Sequence, residues 1–161
     1  MRIKCIIVTI LFISVSIMLS ACGSTTPSPT SGKTAMTFET IGIKGSTAFI
    51  TLISPSPDAV TSEDLANKLK ADWQNQLKLN TNPYYQNQVH VMVFDNKEAP
   101  KRWLQIWDEL GTMSDEDWAK EQAQIFPHRI ANYDRNTTSG LNEVQILSRD
   151  SECSVVQIIN F

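Results

Sequence analysis

"QVHVMVFD" runs from Gln88 to Asp95, and its reading decides the fold. Val89, Val91 and Val93 fall on one parity; His90, Met92 and Phe94 fall on the other. Side chains alternate across a strand, so this is a β-strand with apolar groups on both faces, a pattern that belongs inside a sheet. "AFITLISP", Ala48 to Pro55, reads the same way, with Phe49 and Ile53 on one parity and Ile50 and Leu52 on the other. Between the two lies a helix. Thr61 opens it, Glu63 and Asp64 fill its first turn, and Leu65, Leu69, Trp73 and Leu77 recur every four residues, joined by Ala66. The turn-rich "NTNPYYQN", 80–87, breaks it. Strand, amphipathic helix, strand is a βαβ unit, for which a right-handed crossover and parallel strands are expected.

Outward from this unit, "KEAPKRWLQIWDEL" sets Trp103, Ile106, Trp107 and Leu110 on one helical side, and Gly111 stops it. Ser114 caps a further helix whose positive end carries Asp115, Glu116 and Asp117. Its inner side is expected to carry Trp118, Ala119, Gln122, Ala123 and Phe126, and Pro127 ends it. "HRIANYDRN", "LNEVQIL" and "CSVVQIINF" read as three strands separated by the turns "TTSG" and "RDSE". The last strand is apolar on both parities. The expected order is β-α-β-α-α-β-β-β: an α+β (or α/β) fold, a mixed sheet with packed helices and a C-terminal antiparallel meander.

The N-terminus tells a different story. Arg2 and Lys4 precede an uncharged apolar run, Cys5 to Leu19, of 15 residues. A membrane-spanning helix needs roughly 20, so a cleaved signal peptide is the better reading. The exit, Leu19-Ser20-Ala21-Cys22, resembles the lipobox of bacterial lipoproteins. The resemblance implies diacylglycerol on the Cys22 sulfur, cleavage before it, and stable attachment to a membrane facing away from the cytoplasm. Gly23 follows, which resembles the signal for outer-membrane sorting if the host has two membranes. "IANYDRNTTSGLNEVQIL" also resembles small bacterial lipoproteins, a likeness that implies no activity. Residues 1–21 are then the signal peptide, 22–37 a lipidated cysteine with a Ser/Thr/Pro/Gly tether, and 38–161 a single globular domain. The tether has too little apolar surface to order itself, and about 15 such residues span roughly 20 Å as a coil.

Without Arg2 and Lys4 the chain keeps 12 of its 14 basic residues against 17 acidic ones, a net −5. That argues against nucleic acid as a partner. Cys5 leaves with the signal and Cys22 carries lipid, so Cys153 is alone and no disulfide forms within the domain. No motif calls for a cofactor or a metal. "DRNTTSGLNE", 134–143, is rich in oxygen ligands, but Ser139 and Gln145 stand where a calcium loop needs glycine and glutamate; a hairpin turn explains it. His90 and His128 have no metal-ligand spacing. Two functional readings remain. Tyr84 and Tyr85, rings in a polar loop, point to a non-catalytic domain that binds an envelope protein or a small ligand. His128, at a helix-to-strand junction, points to a small hydrolase using Cys153 or a carboxylate.

Overall fold

The computed structural model describes residues 35–76 and 87–161. Its sheet has six strands in sequence order: β1 (Thr37–Lys44), β2 (Thr47–Ser54), β3 (Gln88–Phe94), β4 (Arg129–Asn136), β5 (Leu141–Leu147) and β6 (Val155–Asn160). β2 and β3 are parallel, with Ala48 opposite Val91 and Ile50 opposite Val93; every other neighbouring pair is antiparallel. The βαβ unit and the meander β4-β5-β6 stand as the sequence implies. α1 (Ser62–Trp73) makes the crossover; α2 (Glu98–Ile106) and α3 (Asp115–Ile125) lie between β3 and β4. None of the described helices is long and apolar enough to cross a membrane.

The alternation in β2 and β3 sorts the core into two. On one face Ala48, Ile50, Leu52, Val89, Val91 and Val93 meet Leu65, Ala66, Leu69 and Trp73 of α1, together with Tyr133 and Val144. On the other, Phe49, Met92 and Phe94 meet Ala99, Trp103 and Ile106 of α2 and Ile125 of α3. Trp103 is the hub of this second cluster: it stacks on Phe126, with centroids 5.6 Å apart, and meets Trp118 edge-on at 6.1 Å. The tryptophans of α2 and α3 therefore serve packing. Thr61 and Ser114 cap their helices as expected, their hydroxyls accepting from the backbone N–H of Asp64 (3.1 Å) and Asp117 (3.2 Å).

Three details differ from the sequence expectation. First, a strand precedes "AFITLISP". β1 begins at Thr37, inside the stretch read as tether, and reaches β2 through a turn at Gly45 (φ 58°). Two register slips and the central Gly42 blur its periodicity. Gly42 has a packing contact: a Cβ there would stand 2.6 Å from a terminal methyl of Leu104 of α2, so a larger residue would require the Leu104 side chain to shift. Second, α3 buries Glu121 and Ile125, while Ala119 and Ala123 are exposed. Its inner row is Trp118, Glu121, Gln122 and Ile125. The buried charged member is satisfied: Arg102 of α2 grips Glu121 with two donors, Nε at 2.7 Å and Nη2 on the other oxygen. Third, β6 is exposed along most of its length. Its two-sided apolar pattern resembles that of β2, yet it is the sheet's last strand.

Coverage of the second face is uneven. α2 lies over β1 and β2, and α3 packs on α2. Towards β6 that face turns polar. Asn132 donates to Gln145 across β4 and β5 (3.3 Å), and Gln145 donates to Glu143 (2.8 Å).

Two stability outcomes follow. Phe49 is fully buried, so Phe49→Ala should cost about 3–5 kcal/mol in urea unfolding, whereas Ile53→Ala, at a position 48% exposed, should cost far less. The Glu121 carboxyl is held below the usual glutamate range chiefly by the hydrogen bonds from Arg102, which outweigh the desolvation cost, with the Arg102 charge adding to them. Its contribution to stability is thus present above the ordinary value of 4.5 and lost as pH falls through the lowered folded value. The urea midpoints of wild type and Glu121→Gln should differ at neutral pH and converge in acid.

Candidate functional site

The parallel pair ends where α/β sheets usually place their sites, beyond the carboxyl ends of the strands. Asp95 is the first residue past β3. Its backbone N–H donates to the His128 carbonyl (2.9 Å), and its buried carboxylate meets His128 Nδ1 at 2.8 Å. The other carboxylate oxygen accepts from Arg149 Nη2, and Arg149 Nη1 reaches on to Asp58 at 2.8 Å. A carboxylate held by an arginine can only accept, so Nδ1 of a neutral His128 carries the ring proton and Nε2 the lone pair. Among the described residues Nε2 has no hydrogen-bond partner.

His128 borders an open cleft of ≈ 330 Å³, lined also by Asn96, Lys101, Arg102, Gln105 and Gln124. Asn96 shapes it. Its side-chain oxygen accepts from the N–H groups of Glu98 (3.0 Å) and Ala99 (2.9 Å), closing the start of α2, while Thr51 Oγ1 ties down its carbonyl at 3.1 Å. The cations of the cleft are not free: Lys101 pairs with Glu98 at 2.8 Å and Arg102 with Glu121.

An aspartate-bound histidine with Nε2 open has the arrangement a general base needs, and a hydrolytic dyad would further require a nucleophile within hydrogen-bond reach. Cys153, the expected nucleophile, makes no hydrogen bond to His128. It sits in the turn between β5 and β6 with φ 53°, a left-handed conformation held by Asp150, whose Oδ1 accepts from the N–H of Glu152 (3.0 Å) and Cys153 (2.9 Å). Its Sγ is directed to the Arg129 carbonyl, 4.0 Å away, not to His128. Burial pushes the thiol above its usual pKa, only partly offset by the Arg129 charge. Arg129 is itself held in place: Nε donates to Asn132 (2.7 Å), and the guanidinium lies 5.5 Å from the Trp103 ring centre.

His90 makes a second histidine–aspartate pair at the opposite end of the same two strands, its Nδ1 against Asp134 directly across the ladder. The "TTSG" segment is a hairpin turn in which Asn136 Oδ1 accepts from the N–H of Thr138 (2.9 Å) and Ser139 (3.2 Å). Among the described residues no group of three His, Cys, Asp or Glu side chains could hold a metal ion. Cys22, Tyr84 and Tyr85 lie outside the described residues. Asp95 and Arg149 are the members of the His128 site that sequence reasoning missed. The one local signal was an acid directly after a buried strand.

No protein-family model, no curated protein and no solved structure matches the chain.

The Cys153 environment predicts slow chemistry. Alkylation of the folded chain by iodoacetamide, read by mass spectrometry on the peptide containing Cys153, should lag well behind the unfolded chain near pH 8 and accelerate only at higher pH. Arg129→Gln, which removes the nearby positive charge, should move that profile further up.

Proposed function

We propose that this protein is a lipid-anchored component of a bacterial cell envelope, and that its globular domain binds a partner or a small polar ligand and turns nothing over. The lipobox Leu19-Ser20-Ala21-Cys22 supports the anchor. One observation carries the binding reading. His128 borders a mixed polar and apolar cleft with no nucleophile hydrogen-bonded to it, while the free thiol, Cys153, is directed to the backbone carbonyl of the neighbouring Arg129 and not to the imidazole. His128 then acts as an acceptor within a recognition site: Asp95 and Arg149 fix its tautomer and ring orientation, and Gln105, Gln124 and Asn96 offer neutral hydrogen-bonding groups around it. Such a lining suits a ligand with several hydroxyl or amide groups. The Tyr84–Tyr85 loop remains a second candidate contact for a protein partner.

A hydrolase in which the His128–Asp95 pair activates water is the competing reading, supported by the same 2.8 Å contact. Two measurements separate the readings. Cells fed labelled palmitate should label the full chain, and Cys22→Ser should abolish the label; persistent labelling would remove the anchor. The purified chain should cleave fluorogenic ester and peptide substrates no faster than His128→Ala. Turnover that disappears in His128→Ala would replace binding by catalysis.

A further inference from the structure

β6 is an edge strand whose outer side nothing among the described residues covers. In the ladder with β5, Gln145 stands opposite Ile158 and Glu143 opposite Asn160, and Phe161 donates its N–H to the Asn142 carbonyl at 3.0 Å. Antiparallel pairs alternate between bonded and unbonded, so the backbone groups of Gln157 and Ile159 turn inward to β5, and those of Ile158 and Asn160 turn outward. Its side chains are uncharged and mostly open, the apolar ones included: Val155 is 48% exposed, Val156 63% and Ile158 51%, and Phe161, just past the strand, is 38% exposed.

The two edges of the sheet are treated differently. β1 carries Glu39 and Lys44 and slips register twice, devices that discourage pairing with another chain. From Cys153 to Phe161 no acidic or basic side chain occurs, and the single slip lies at the start of β6, leaving Gln157 to Asn160 regular. Charge selects the occupant. The chain is net negative, so two copies repel over most of their surfaces and meet most easily along an uncharged seam. A charged peptide would find nothing on β6 to pair with.

We propose that β6 pairs antiparallel with β6 of a second copy, across a two-fold axis beside Ile158, to join two six-stranded sheets into one. Such an interface is self-complementary. Ile158 forms a bonded pair with its own counterpart, and beyond it Asn160 runs towards Val156 of the second copy, the residue at the β6 register slip. On the opposite face Gln157 meets Ile159 of the second copy. No like charges oppose one another anywhere along the strand. Because β1 is the other edge and is guarded, the assembly closes at two copies and does not grow into a filament. The pairing consumes only the β6 edge and leaves the His128 cleft alone, so it stands whether or not that cleft binds or catalyses.

Full-length chain carrying Ile158→Cys, exposed to a mild oxidant in intact cells, should give a cross-linked species of two chains. A bonded antiparallel pair sets Cα atoms about 5.5 Å apart, within disulfide range. Wild type, with Cys153, and Glu39→Cys, on the guarded edge, should stay near background. In detergent, sedimentation should give the mass of two chains for wild type and of one for Ile158→Asp, which puts two carboxylates side by side; far-ultraviolet dichroism should match between them. Cross-linking at Ile158→Cys no greater than at Glu39→Cys overturns the proposal. So does a wild-type chain that sediments as one copy, or a dimer that Ile158→Asp leaves intact.

Discussion

The parallel pairing of β2 with β3 is the constraint from which the rest of the molecule is built. Two strands with no polar face cannot leave either side to water, because each buried valine, isoleucine or phenylalanine is worth roughly 1.5–3 kcal/mol only while it is covered. Parallel neighbours also need a crossover, and α1 supplies it while covering the face of Val89, Val91 and Val93. The opposite face, with Phe49, Met92 and Phe94, then demands a second layer. α2 and α3 are inserted before the chain returns as β4 to provide it. Gly42 in β1 belongs to the same requirement, because α2 reaches Phe49 only by crossing β1 at close range.

The candidate site is a by-product of that arrangement. A strand buried on both faces must emerge at its end, and the first polar residue after β3 is Asp95. The chain makes two helices and comes back antiparallel beside β3, so the residue entering β4, His128, arrives next to the residue leaving β3. The backbone bond from Asp95 N–H to the His128 carbonyl fixes that approach, and the side-chain pair follows from it. At the other end of the same two strands the logic repeats with roles exchanged: His90 enters β3 and Asp134 nears the end of β4. Such pairs grow out of strand register. The presence of a histidine–aspartate contact is therefore weak evidence for catalysis, and the surroundings must decide.

Periodicity made the core elements legible. Alternation identified β2 and β3, the four-residue recurrence of Leu65, Leu69 and Trp73 identified α1, and Thr61 and Ser114 announced their own caps. These signals are local, which is why they can be read from a few residues at a time. β1 was not legible, because two register slips break its alternation and its central Gly42 packs against Leu104, a residue far away in sequence. The face of α3 was misjudged for a related reason. Alanine counts as apolar in a periodic pattern and glutamate as polar, but Glu121 is buried because Arg102 of another helix neutralises it, and Ala119 and Ala123 are left outside. The site was half legible: His128 stood out as one of two histidines, whereas its partners Asp95 and Arg149 lie 33 and 21 residues away and meet it only through the sheet.

β6 marks the limit of periodicity as a guide. "TAFITLIS" and "VVQIIN" carry the same message, apolar on both parities, yet the first is the most enclosed strand of the sheet and the second the most open. A pattern states what each face of a strand prefers. It does not state how many strands lie on either side. For β2 the preference is met by β1, β3 and helices on both faces. For β6 it is met on one side by β5 and in part by α1, whose Lys70 amine rests 4.3 Å from the centre of the Phe161 ring. The remainder is unmet among the described residues. Neither Val156 nor Ile158 supports the core, and both stand exposed on an uncharged edge, whereas β1 carries Glu39 and Lys44. Val156 and Ile158 are the side chains that the proposed pairing of β6 with a second copy would enclose, making a strand that is terminal in the single chain central in the pair.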